Sequence, residues 1–215
     1  MKKVIAINGS PRKKGNTATL LQHALDGAAE AGAATEMVHL YDLNFRGCLS
    51  CFACKKKNST FIGRCASRDG LSPILEKAMQ SDVVLLGSPI YLGNITGEMQ
   101  SCLERLLFMN LSYDDVSRTN FTGSINVGFI YTMGLPEDRM RESGYDALIA
   151  HRNTRYSVIL RGKWEDMIST DAHQFEDYSE YAASLFNEAH KKKVFAEQFP
   201  IDCRNAHAMG KRLVG

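Results

Sequence analysis

No Gly-x-Gly-x-x-Gly and no Gly-Lys-Ser/Thr occurs in the 215 residues, so neither dinucleotide-fold nor Walker-type phosphate binding is indicated. A Gly-x-Ser-x-Gly elbow is also missing, which argues against a hydrolase. No apolar run approaches the roughly 18 residues a membrane helix needs, and the N-terminus enters a strand without a signal-type segment. The expectation is therefore a cytoplasmic protein with no membrane partner. Charge of one sign is equally scarce: 26 Lys and Arg against 24 Asp and Glu leave +2, which gives no reason to invoke nucleic acid. The six histidines are scattered, with no His-x3-His or His-Cys pairing for zinc. Asp114-Asp115 and Glu165-Asp166 have no evident catalytic partner and read as solvated faces. Repeats, low-complexity segments and long linkers are absent.

What the chain does have is a hydrophobic content of 44% and a charge content of 23%, those of one globular domain over residues 1–215. It opens with a buried strand, Val4 to Ile7, then the turn Asn8-Gly9-Ser10-Pro11-Arg12-Lys13-Lys14-Gly15, then a helix from Asn16 or Thr17. That layout suits a phosphate, because backbone N–H groups, hydroxyls and the helix dipole converge there and Arg12 adds a charged fork. The helix carries Leu20, Leu21, Ala24, Leu25 and Ala28 on one face and ends at Gly32. Further strands are expected at Thr35–Leu40, Asp82–Ser88, Ile125–Tyr131 and Tyr156–Leu160. Helices are expected at Leu71–Met79, Gly97–Met109, Pro136–His151, Phe175–Phe195 and Pro200–Leu213. Continuously apolar strands separated by helices imply a doubly wound α/β fold, a parallel sheet with helices on both faces.

Ligands sit at the carboxyl ends of such strands. Three loops of small residues leave those ends: Asn8 to Thr17, Ser88 to Thr96, and Tyr131 to Pro136. The second, Pro89-Ile90-Tyr91-Leu92-Gly93-Asn94, sets a rigid apolar and aromatic surface beside exposed N–H groups, as one edge of a planar heteroaromatic ring requires. A structural turn with Tyr91 packed inward is the competing reading.

The stretches Gly9-Ser10-Pro11-Arg12…Gly15-Asn16-Thr17 and Gly87-Ser88-Pro89-Ile90-Tyr91…Gly93-Asn94-Ile95-Thr96-Gly97 together resemble the NADPH-dependent FMN reductase group of flavodoxin-like proteins, and most of all its iron–sulfur flavoprotein branch. Phe199-Pro200-Ile201-Asp202-Cys203…Met209-Gly210-Lys211-Arg212-Leu213 is similar to the last helix of that branch, and Glu137 to His173 is the least matched part. The resemblance implies a five-stranded sheet in the order 2-1-3-4-5 and FMN as cofactor. It implies a phosphate site of Ser10, Arg12, Gly15, Asn16 and Thr17, and isoalloxazine contacts from Pro89, Ile90, Tyr91, Leu92, Gly93 and Asn94. Thr132, Met133 and Gly134 would line the other side of the ring. Leu92 stands where relatives often carry an aromatic residue.

Cys48, Cys51, Cys54 and Cys65 are spaced C-x2-C-x2-C-x10-C within a loop at 47–65. Three thiols at such intervals reach one centre and a fourth closes it, as in an iron–sulfur cluster or, less well, zinc. In the resembling branch this motif binds a [4Fe–4S] cluster, with a shorter last gap; Asn58 to Ile62 looks like an insertion. Free or redox-active thiols are the alternative. Cys102 reads as a core thiol, and Cys203 as core or interface packing.

The resulting expectation is an FMN-dependent oxidoreductase fed by NAD(P)H as co-substrate or by ferredoxin, with no protein acid or base required. A homodimer or homotetramer follows from the resemblance. A flavodoxin-like electron carrier and a flavin-free regulatory protein on the same fold are the alternatives.

Overall fold

Side chains on a strand alternate between its two faces, and a strand covered on both faces must be apolar on both. That is how β1 (Lys3–Asn8) behaves in the computed structural model, which describes residues 1–115 and 118–215, the side chain of Arg155 excepted. Val4 and Ala6 face one way, into a layer made by α1 (Asn16–Glu30) and α7 (Phe199–Val214); Ile5 and Ile7 face the other, toward α2 (Ser72–Met79), α3 (Gly97–Phe108) and α5 (Tyr145–Leu160). β3 (Val83–Tyr91) repeats the pattern, Val83 and Leu85 against Val84 and Leu86. Each such buried Leu or Ile contributes roughly 2 kcal/mol of transfer free energy.

The remaining strands are β2 (Ala34–His39), β4 (Asn94–Ile95), β5 (Ile125–Thr132) and β6 (Arg161–Ser169). The sheet runs β2-β1-β3-β5-β6, all parallel, and the two-residue β4 pairs antiparallel with the end of β3. The sheet thus has six strands rather than five, and the parallel ones keep the order 2-1-3-4-5 once β4 is left out of the count. Among the described residues no helix is long and apolar enough to cross a membrane.

Helices α1 and α7 approach so closely that only glycine fits at the crossing. A Cβ on Gly210 would stand 1.8 Å from the Ala24 carbonyl oxygen, and one on Gly27 would stand 2.0 Å from that of His207. This seats α7 on the sheet.

Three expectations are corrected. Tyr156–Leu160 is not a strand but the end of α5, because Ile149, Asn153 and Leu160 recur at helical spacing on the buried side. The fifth parallel strand is Arg161–Ser169, whose charged, half-exposed sequence is that of an edge strand. The helix expected over Pro136–His151 breaks at Gly144, held at φ +72°, into α4 (Glu137–Glu142) and α5. Phe175–Phe195 is mostly irregular, with a short 3-10 turn at Tyr178–Glu180 and α6 (Glu188–Glu197). Its aromatics pack on one another, Phe175 stacking on Tyr181 at 4.1 Å, instead of lying along a helix face.

Candidate functional site

Parallel strands end on the same side of the sheet, so the turns after β1, β3, β5 and β6 gather there. The turn after β1 is held by its own polar groups: the Ser10 N–H donates to Asn8 Oδ1 (3.0 Å), the Arg12 N–H to Ser10 Oγ (3.2 Å) and the Gly15 N–H to the Arg12 carbonyl (3.1 Å). Gly15 takes the N-cap position without a side-chain cap. The N–H groups of the first turn of α1 are therefore left for a ligand, at the positive end of the helix dipole.

The turns are tied together. The Gly9 N–H donates to the Gly87 carbonyl (2.8 Å), and Thr96 Oγ1 donates to the Gly9 carbonyl (2.7 Å) while capping α3 by accepting from the Met99 N–H. Ser88 Oγ accepts from the Thr96 N–H (3.0 Å). Thr17 and Thr132 share a buried hydroxyl contact of 2.7 Å that joins α1 to the end of β5.

These bonds shape a cleft of about 170 Å3, lined by Ser10, Arg12, Gly15, Asn16, Thr17, Pro89, Ile90, Tyr91, Thr132, Met133 and Gly134. Eleven residues expected from the sequence thus share one cleft. Leu92, Gly93 and Asn94 do not line it; they form the β3–β4 turn, with positive φ at Leu92 (49°) and Gly93 (86°) and Leu92 fully exposed. Tyr91 is 49% exposed and does not pack inward. Asn94 Oδ1 accepts from Arg152 Nη2 (2.9 Å), which links the turn to α5.

A fourth wall, Ala172 to Phe175, was not foreseen. Arg12 Nη1 donates to the Gln174 carbonyl (2.6 Å) and Asn16 Nδ2 to the His173 carbonyl (3.2 Å). The contact is made by main-chain oxygens, so side-chain identity in the sequence carries no signal for it. The same segment holds two buried polar atoms without a hydrogen-bond partner among the described residues, His173 Nε2 and Gln174 Oε1. Burial holds the His173 imidazole below its ordinary pKa, helped by the charges of Lys192 and Lys191 and opposed by Glu188. Behind the cleft, the buried Lys191 ammonium donates to the Gly134 carbonyl (2.5 Å) and pairs with Asp171, which also meets His190 Nε2 at 2.5 Å. That triad fixes the turn after β5 from below.

FMN needs an anion cradle and a slot for a flat ring. The uncapped α1 N-terminus with Arg12 supplies the first, and Pro89–Tyr91 facing Thr132–Gly134 supplies the second. The residues fit the group.

The cysteine loop lies across α3. Cys48, Cys51, Cys54 and Cys65 line one cavity together with Phe52, Arg105 and Phe108, and all are free thiols. Ser50 and Phe52 sit at φ +51° and +56°, so the chain turns back at each x2 interval. Lys55 Nζ donates to the Phe108 carbonyl and to that of Leu111 (2.6 Å), fastening the loop to the C-terminal end of α3. Burial pushes the Cys54 thiol above its ordinary pKa against the pull of Lys55. Among the described residues no group of three His, Cys, Asp or Glu side chains is drawn together closely enough to hold a metal ion. Yet the cavity's Arg105 is 2% exposed; its guanidinium donates to Asp69 Oδ2 (2.6 Å) and the Arg46 carbonyl (3.1 Å), and its Nε–H has no partner among the described residues. Four thiols around one cavity, beside a buried cation with a spare donor, fit a sulfur-ligated, negatively charged centre.

A family model described as NADPH-dependent FMN reductase matches residues 2–130. An iron–sulfur flavoprotein of Methanocaldococcus jannaschii is 34% identical over 126 residues, covering 59% of this chain and 62% of that protein. One from Archaeoglobus fulgidus is 36% identical over 103 residues, 48% of each chain. The matched stretches thus span less than two thirds of these relatives. Among solved structures, an NAD(P)H:quinone oxidoreductase from Methanothermobacter marburgensis superposes with a TM-score of 0.70 at 15% identity, over 99% of this chain and 98% of that one. An FMN-dependent NADH-azoreductase from Bacillus anthracis, in complex with FMN, gives 0.63 at 12% identity over 100% of both chains. At these identities the superpositions establish the flavodoxin-like fold.

Proposed function

The chain belongs to the NADPH-dependent FMN reductase family, and from that premise we propose that it is an FMN-dependent oxidoreductase that takes electrons from NAD(P)H or ferredoxin and passes them to a small-molecule or protein acceptor. The observation that carries the reading is the convergence of three strand-end turns on one cleft with an uncapped helix N-terminus and Arg12 at its edge.

FMN, when bound, supplies the capacity to take a hydride and to release electrons one or two at a time. The chain's own work is placement. Arg12 and the N–H groups of Asn16 and Thr17 hold the phosphate; Ser10 and Gly15 shape the turn that presents them. Pro89, Ile90 and Tyr91 offer apolar and aromatic surface on one side of the ring slot, and Thr132, Met133 and Gly134 close the other. The half-exposed Tyr91 and the bare Leu92 leave the outer face open to a nicotinamide or to a second copy of the chain. The exposed turn Leu92–Gly93–Asn94 borders that face.

Cys48, Cys51, Cys54 and Cys65 are assigned as ligands of a [4Fe–4S] cluster, with Arg105 beside them as counter-charge. This second assignment follows the donor set and the spare Nε–H. Its competitor is a set of redox-active thiols, and one sample separates the two. Protein purified anaerobically should give an ultraviolet–visible spectrum with flavin bands, and four irons and four sulfides per chain on quantification. Flavin bands without iron after reconstitution overturn the cluster and leave the FMN reading; failure to take up added FMN overturns the FMN reading.

A further inference from the structure

A cavity larger than either of the two already described belongs to neither site. It opens between the Thr60–Arg68 stretch, α2 and the chain around Asn110 and Phe121, and holds about 610 Å3, within the range of small-molecule sites. Phe61, Leu75, Met79 and Phe121 give it apolar walls, and Arg64 and Arg68 bring positive charge. Arg68 is partly offset by Glu76, 3.5 Å away, and lies over the Phe61 ring; Arg64 is exposed and has no ion pair among the described residues.

Asn110 gives the cavity its polarity. The residue is 1% exposed, and its Nδ2 is engaged by the Leu106 carbonyl (2.9 Å) and Met79 Sδ (3.3 Å). Its Oδ1 is buried without a partner among the described residues, an arrangement that folded chains rarely keep without a use. Across from that oxygen stands Gly63, at φ +72°, where a Cβ would lie 3.9 Å away, so no side chain fills the space. The cavity therefore offers an orphan acceptor at depth, aromatic walls and cations at the mouth.

We propose that this cavity binds a planar aromatic anion carrying a hydroxyl: the ring lies against Phe61 and Phe121, the anionic group meets Arg64, and the hydroxyl donates to Asn110 Oδ1. Cys65 forms part of the wall that this cavity shares with the cysteine site, so a ligand held here lies next to that centre.

Calorimetric titration of FMN-saturated protein with 6-hydroxy-2-naphthoate tests this. Saturable binding is expected with FMN present, weakened about tenfold for 2-naphthoate, which lacks the hydroxyl, and by a similar factor for 2-naphthol, which lacks the carboxylate. Asn110→Ala erases the first preference and Arg64→Gln the second. Displacement of the naphthoate by FMN, equal binding of the three compounds, or an Asn110→Ala protein that still prefers the hydroxyl overturns the proposal. The comparison of compounds on unaltered protein decides the matter even where a variant fails to fold.

Discussion

Between Leu43 and Leu71, where the cysteines lie, the chain forms no strand and no α-helix, only the 3-10 turn Ala53–Lys55; the cleft at the other site takes its walls from the ends of β1, β3, β5 and β6. In the cleft, Thr96, Ser88 and Thr17 fasten one turn to the next, so donors stand ready before a ligand arrives. In the cysteine loop the thiols share a cavity but are not drawn into a coordination shell, and Arg105 keeps an unused donor. One site is organised by the sheet. The other, under the proposed cluster assignment, would be completed by what it binds, as metal sites often are. Loss of a ligand should therefore be all-or-none in the loop and graded in the cleft.

The largest effect follows from Cys54→Ala. Cys54 is the buried member of the cysteine set, and the resulting protein should retain no iron or sulfide after anaerobic reconstitution while holding FMN as before. Iron at the unaltered level would remove the contrast between the two sites. Next in size is Arg12→Ala. Hydrogen bonds to a charged partner contribute about 1.5–3 kcal/mol, so FMN affinity measured by flavin fluorescence should fall about 10- to 100-fold with iron content unchanged. Unaltered affinity would take the phosphate away from the α1 N-terminus.

A smaller change is expected from Thr96→Val, which removes the cap of α3 and the bond to the Gly9 carbonyl while keeping the shape. Such caps contribute about 1 kcal/mol, so thermal unfolding should come several degrees earlier and FMN binding should weaken by less than tenfold. A melting temperature left in place would mean that the turns are positioned by the sheet alone.

How much of this was legible in the sequence tracks the same contrast. Strands buried on both faces announce themselves as apolar runs, and Val4–Ile7 and Asp82–Ser88 carried the cleft with them, since small residues after such strands can only be strand-end turns. The edge strand Arg161–Ser169 was hidden by its charges, and the apolar Tyr156–Leu160 just before it imitated a strand while finishing a helix. Ala172–Phe175 was invisible for a different reason: it reaches Arg12 and Asn16 through carbonyl oxygens, which every residue has. Cysteine spacing identified the loop, but the buried Arg105 beside it lies 40 positions beyond Cys65 and is brought there by packing alone.

The smallest effect concerns that unforeseen fourth wall. The His173 imidazole titrates below its ordinary value of 6.5 in the folded chain, so the unfolded chain binds the proton more readily. The stabilisation is fully present above about pH 6.5 and is lost as pH falls toward the folded-state value. Protonation would charge a half-buried ring that packs at a tilt against Tyr178 and Phe195, and the His173 carbonyl that accepts from Asn16 would loosen with it. Hydrogen exchange in residues 171–178 should accordingly quicken as the pH falls below about 6.5, relative to β1 and β3, which hold no histidine, and His173→Gln should flatten that dependence. Exchange that quickens equally in the variant would show that the clamp on Arg12 and Asn16 is not released through the His173 ring.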